Sequence, residues 1–185
     1  MDDSVPHMSV RVAVVDAENR FVRWTSRAEI HAARLAHRSV QVMLLDSHAR
    51  LVLQRRAETK QTYPGCWDLS ASGHVEEPDY PDPSRPDDDL GAIYDAVAHR
   101  ELEEELGVRA ALTRLGAFEP LEGVHYEHFV LYRGTSDGPY RAQVEEVAEI
   151  RAFTPDEYDQ LLASGAPRTA SLEWLVRWAR ARGIF

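Results

Sequence analysis

Arg100-Glu101-Leu102-Glu103-Glu104-Glu105-Leu106-Gly107-Val108 is the stretch on which the reading of this chain turns. Upstream of it, Tyr94, Ala98, Leu102 and Leu106 recur every four positions, so 91–106 reads as a helix with one apolar stripe. Gly107 stands where a left-handed C-terminal cap is wanted. Residues three and four apart share a helix face, which gathers Glu101, Glu104 and Glu105 on one side while Leu102 and Leu106 point elsewhere. Three clustered carboxylates repel one another unless they are well solvated or hold cations. Mg²⁺, a hard ion that takes oxygen ligands and bridges carboxylates to phosphates, suits such a cluster.

The rest of the chain sets the frame around this helix. With 185 residues, 44% of them hydrophobic, it is long enough for one good core and short for several domains. Thirty-one acidic against 21 basic residues give a formal charge of −10, which disfavours long nucleic acid as a partner. The same charge would repel a polyphosphate unless divalent cations reversed the local field. A single cysteine, Cys66, excludes an intrachain disulfide framework and suits a reducing cytoplasm. The first residues lack a basic start followed by an apolar run, and no stretch approaches the length of a membrane span, so a cytoplasmic protein without membrane partners is expected.

Val10 to Asp16 and Phe21 to Trp24 read as a hairpin, followed by a short helix through Glu29 and Ala33 capped by Thr25 or Ser26. We expect residues 1–35 to form this N-terminal hairpin and helix, packed on a main domain of 36–185. A second hairpin is expected from 37–45 and 51–55, and a further strand over 67–72. Four of the ten prolines and a cluster of aspartates fall between Pro78 and Asp89, so an insert at about 77–90 reads as a loop or flap. Beyond the acidic helix, strands are expected over 110–117, 126–133 and 147–153. Thr154-Pro155-Asp156-Glu157 is a strong helix start, and 171–182 supplies a last amphipathic helix with Leu172, Leu175, Val176 and Trp178 as its stripe. Trp24, Trp67, Trp174 and Trp178 read as core residues, and Leu172, Leu175 and Trp178 equally fit a homodimer face.

The run from Arg100 to Val108 resembles the second half of the Nudix signature at every specified position, and Ser70-Ala71-Ser72-Gly73 and Ala98 also resemble the family pattern. The resemblance implies an α+β fold, an α/β/α sandwich built on a mixed β-sheet. It also implies a Mg²⁺- or Mn²⁺-dependent hydrolase that cleaves a diphosphate linkage in a small molecule, such as a nucleoside diphosphate derivative. By position, Glu101, Glu104, Glu105 and Glu127 would be metal ligands. Glu104, Glu101 and Arg100 would be the catalytic group, Arg100 orienting the carboxylates, and Glu127, Glu145, Glu146 and Glu149 are further candidates for a general base. The signature's glycine, five residues and glutamate should precede the helix, but the position eight before Arg100 is Ala92. Glu76, Glu77 or an aspartate of the insert would have to replace that carboxylate.

Leu51 to Lys60 and Tyr63-Pro64-Gly65-Cys66-Trp67-Asp68 look like the corresponding stretches of isopentenyl-diphosphate isomerases and their hydrolase-like bacterial relatives. Arg55, Arg56 and Lys60 would then bind a substrate diphosphate. The isomerase's acid is a cysteine before a Gly-His pair; here Ser72 precedes Gly73-His74, and a hydroxyl is a far weaker acid than a thiol. Such isomerases also usually lack the full glutamate set, so hydrolysis is favoured over isomerisation, and a non-catalytic nucleotide-binding module is the third reading. The resemblance further implies a second metal site near His37 and His74 with Glu127, with His31 a residue away from a matching position. A half-buried histidine in a strand is the simpler expectation for His37.

Overall fold

The computed structural model describes residues 10–185, and the first nine residues of the N-terminal segment expected at 1–35 lie outside them. Nine strands form one mixed sheet around β3 (His37–Leu45). All nine residues of β3 are buried, as in a strand covered on both faces. It runs parallel to β8 (Glu127–Thr135) in a register that sets His37 beside Glu127, and antiparallel to β6 (Ala71–His74), which sets Ser39 beside His74. The β1–β2 hairpin (Arg11–Val15 and Phe21–Ser26) joins the sheet through Val14 opposite His37. On the other side, β4 (Leu51–Arg56) pairs with β5 (Trp67–Asp68) and β9 (Val147–Phe153), while β7 (Thr113–Phe118) borders β8.

Because side chains alternate along a strand, the even positions Val40, Val42 and Leu44 of β3 meet Ile93, Val97, Ala98, Leu102 and Leu106 of α2 (Leu90–Leu106) on one face. The odd positions Met43 and Leu45 meet Leu172, Leu175 and Val176 of α4 (Ala170–Arg180) and Tyr158 of α3 (Pro155–Ala163) on the other. This is the α/β/α sandwich. Towards the start of β3, the odd positions are His37, Ser39 and Gln41, all buried, so the apolar layer gives way to a polar one at that end. α1 (Arg27–Ala33) is capped by Ser26, whose hydroxyl accepts from the Glu29 amide.

Several expected bounds shift. The strand expected over 110–117 starts only at Thr113, and the one expected over 67–72 is two strands interrupted at Leu69-Ser70, where the Ser70 hydroxyl accepts from the Leu44 amide. The last helix starts at Ala170 with Thr169 as its cap. Leu172 and Leu175 are fully buried in this chain's own core, so they cannot form a dimer face. The Pro/Asp insert is no free flap: after a short 3-10 turn (Glu77–Asp79), Tyr80 is buried and Trp24 packs edge-on against it at 5.1 Å.

Candidate active site

α2 lies across β6, and Gly73 of β6 makes the approach possible, since a Cβ there would overlap the Glu101 carboxylate. Four residues on, Glu105 accepts from the Ser72 amide at 2.9 Å and from the Gln54 side-chain amide at 2.8 Å. Both carboxyls are buried. Burial disfavours the charged form, pushing Glu101 up to about 8 and Glu105 up to about 7. Glu104 stays at the surface, its side chain about half exposed. The helix thus offers two buried carboxyls and one solvated carboxylate within one turn.

Arg100 ties this group together. Its Nη1 reaches Glu101 at 2.8 Å and Glu104 at 3.1 Å, and its Nη2 donates to Asp79 at 3.1 Å and to the His74 carbonyl at 3.3 Å. Asp79 lies six residues after Gly73, which is the glycine, five residues and carboxylate spacing, with aspartate for glutamate. Ala92 is therefore not the position of a lost carboxylate. The insert enters after Asp79 and separates two parts of the motif that the fold brings back together. Counting forward from Gly73 instead of backward from Arg100 would have found it.

At the polar end of β3, His37, His74 and Glu127 each offer a ligand atom, all within 4.8 Å of one another. The imidazoles of His37 and His74 stack with centroids 4.8 Å apart. His37 Nδ1 faces the Leu35 carbonyl at 2.9 Å, which fixes the tautomer with a proton on Nδ1 and a free lone pair on Nε2. His37 Nε2 and both ring nitrogens of His74 are buried without a partner, while the Ser39 hydroxyl donates to Glu127 at 3.2 Å. Burial lowers His37 to about 4, pushes His74 well below the ordinary imidazole range and raises Glu127. Unpaired buried nitrogens are costly, and a cation among two neutral imidazoles and a carboxylate would satisfy one nitrogen of each ring. His37 is, as the simpler expectation has it, a buried histidine in a strand, and its free Nε2 faces the other two ligand atoms. His31, at 5.2 Å from His74 by ring centroids, is engaged with the Tyr126 hydroxyl at 2.6 Å and stands outside the group.

The cations expected to meet a diphosphate are differently placed. Arg56 is almost buried, with donors on the Thr62 carbonyl at 3.0–3.1 Å and Asp68 at 3.4 Å, so much of its guanidinium is already committed to the fold. Lys60 pairs with Glu146, and Arg55 reaches Glu149 at 3.3 Å. Arg27 at the start of α1, not singled out from the sequence, is half exposed, sits 3.6 Å from Glu76, and its charge bears on both His37 and His74. Of the acidic candidates for a base, Glu145 and Glu146 precede β9, Glu149 lies within it, and only Glu127 reaches the imidazole pair.

A mixed-sheet sandwich with an acidic helix laid across a glycine-bearing strand defines the class, and the chain belongs to the Nudix family: the NUDIX domain model matches residues 35–175. An uncharacterized Nudix hydrolase of Pseudomonas aeruginosa, PA4841, is 36% identical over 146 residues, covering 78% of this chain and 79% of that protein. An isopentenyl-diphosphate Delta-isomerase of Serratia proteamaculans is 30% identical over 144 residues, covering 75% and 73%. The crystal structure of DR0079 from Deinococcus radiodurans aligns with a TM-score of 0.74 at 22% identity, over 90% of this chain and 97% of that one, and shares the fold. No helix among the described residues is long and apolar enough to cross a membrane.

Proposed function

We propose that this chain is a Mg²⁺- or Mn²⁺-dependent hydrolase of a diphosphate linkage in a small molecule, such as a nucleoside diphosphate derivative. The observation that carries the reading is the pair of buried carboxyls, Glu101 and Glu105, set side by side against Gly73 and Ser72 with the solvated Glu104 beside them. Glu101, Glu104 and Glu105 have the hard oxygen donors that such a cation takes, and burial raises Glu101 to about 8 and Glu105 to about 7, so that the cation would displace protons from these two. When bound, the cation supplies Lewis-acid polarisation of a phosphoryl oxygen and acidifies a water.

The chain's own residues then have separable parts. Glu101 and Glu105 hold the cation; Glu104, at the solvent edge, takes the proton of the attacking water; Arg100 keeps Glu101 and Glu104 in place. Arg27, Arg55 and Lys60, together with what remains free of Arg56, face phosphate oxygens, exchanging carboxylate partners for substrate. His37, His74 and Glu127 form a second cation site of mixed nitrogen and oxygen donors.

A hydrolase and an isomerase make opposite demands on Ser72, and its hydroxyl in place of a thiol favours hydrolysis. Purified protein incubated with Mg²⁺ or Mn²⁺ and a panel of nucleoside diphosphate derivatives is expected to release phosphate-bearing products, and Glu104→Gln to abolish the release. Interconversion of isopentenyl and dimethylallyl diphosphates without hydrolysis would replace this reading with the isomerase. Binding without turnover of any panel member would leave a nucleotide-binding module.

A further inference from the structure

Arg38 is the largest fully buried side chain among the described residues, and every one of its five N–H directions is taken. Nε donates to Asn19 Oδ1 at 3.0 Å, and Nη2 to the Asn19 carbonyl at 2.6 Å and to Asp87. Nη1 donates to the Pro86 carbonyl at 2.7 Å and to the Tyr80 hydroxyl at 3.3 Å. One guanidinium therefore joins the turn of the N-terminal hairpin to both ends of the segment 80–87. Asp87 also accepts from the Phe21 amide at 3.0 Å, and the Trp24 indole donates to the Pro83 carbonyl at 3.3 Å. The residue before this clamped segment is Asp79, the partner of Arg100.

We propose that Arg38 is a positioning residue for the helix carboxylates: by clamping the 80–87 segment as a strap, it holds Asp79 against Arg100. Arg100 is shared between two sets of acceptors. Asp79 and the His74 carbonyl hold Nη2, while Glu101 and Glu104 receive Nη1. With Asp79 displaced, the guanidinium is free to turn wholly onto Glu101 and Glu104 and compete there with a divalent cation. A pair of charges at hydrogen-bond distance in a half-buried site is strong enough for that competition to matter. The clamp uses residues on three separate elements, and none of them touches the carboxylates themselves; besides the route through Asp79, which the Glu76 amide also holds at 2.8 Å, it has one tie to α2, from Asn19 Nδ2 to the Tyr94 hydroxyl at 3.3 Å, two turns before Glu101. This rests on the reading of the α2 glutamates as a cation site.

The test is the Mn²⁺ dissociation constant measured by electron spin resonance, in a His74→Ala background that removes the imidazole cluster as a competing Mn²⁺ site. Asp79→Asn is expected to weaken binding by about tenfold, the lower end for loss of an outer-shell partner, and Asp79→Glu to restore it. Arg38→Gln is expected to weaken it similarly, and the Arg38→Gln, Asp79→Asn double variant to be no weaker than Asp79→Asn alone, because both act through one link. A folded Arg38→Gln protein with lowered Tm and unchanged Mn²⁺ affinity, or a double variant in which the losses multiply, would overturn the proposal. Should Arg38→Gln not fold, Asp87→Ala, which removes one acceptor of the clamp, is read by the same criterion. Glu105→Gln separates the two levels: unchanged Mn²⁺ binding in that variant overturns the site itself, whereas its loss beside an unaffected Arg38 variant overturns the clamp alone.

Discussion

The two clusters of candidate ligands in this protein are built in contrasting ways. Glu101, Glu104 and Glu105 come from one helical turn, so helix geometry alone sets their spacing, and their donors are all oxygen. His37, His74 and Glu127 come from three strands more than thirty residues apart in the chain, and sheet register alone makes them meet. The helix cluster has a compensating cation in Arg100 and two carboxyls able to stay protonated. The strand cluster has orphaned nitrogens on neutral imidazoles, and its carboxylate is supported by the Ser39 hydroxyl instead of a guanidinium at contact distance. Local geometry thus yields a group whose carboxylates find protein partners, whereas the long-range one leaves buried nitrogens without any. The two are predicted to differ in which ion they prefer and in what they do to stability.

The largest expected effect is on catalysis. Glu104→Gln should lower kcat by about 10²–10⁴, the range for a positioned general base, without changing Zn²⁺ binding at the imidazole cluster; equal loss of both in steady-state kinetics and calorimetry would collapse the distinction between the clusters. His74→Ala makes the reciprocal test. It should weaken Zn²⁺ binding by at least about tenfold while leaving the Mg²⁺ concentration for half-maximal activity within about twofold, and removing one orphaned imidazole should not lower the Tm of the metal-free protein.

Gly73→Ala probes the approach of the helix to the sheet. The new Cβ would overlap the Glu101 carboxylate, so the side chain must swing away or the helix must shift. We expect a loss of about 1–3 kcal/mol in denaturant unfolding and weaker Mg²⁺ activation. Unchanged activation would show that Glu101 is dispensable to the helix cluster.

The smallest effect, on pH dependence, follows from opposite shifts. His37, lowered to about 4, stays neutral in the folded protein while the unfolded chain takes up protons below about 6.5, so its contribution makes stability rise with pH over that window. Glu101 and Glu105, raised to about 8 and about 7, hold protons that the unfolded chain has released, so their contribution makes stability fall as pH rises from the ordinary carboxylate range through those values. Below 6.5 the two oppose each other. Between about 6.5 and 8 the carboxyl shifts act without opposition from His37, and the Tm of metal-free protein should fall in scanning calorimetry, with Mg²⁺ reversing the fall. A flat Tm across that window in both conditions would remove the buried, protonated carboxyls from the comparison.

Much of this was open to reading from the sequence wherever the determinant is local. The four-residue period ending at Gly107 gave the helix to within one residue at its start, and Gly107 has the left-handed backbone of a cap at φ 66°. Thr154 and Glu157 form the expected reciprocal cap of α3. The cluster at His37 was less legible, because single histidines in strands carry no periodic signal and their meeting depends on pairing between strands distant in the chain. The motif's missing carboxylate illustrates the same limit. Counted along the chain from Arg100 it falls on Ala92; measured through space it is Asp79.

By itself, then, the sequence determined the acidic helix, its cap, the alternating strands around it and the family they belong to, since each rests on contacts within a few residues. Tertiary structure alone decided that Asp79 reaches Arg100 across the insert, that Arg38 clamps that insert, and that two histidines and Glu127 share one end of β3. Those arrangements follow from strand register and from the packing of buried polar groups, which bring residues together irrespective of their distance along the chain.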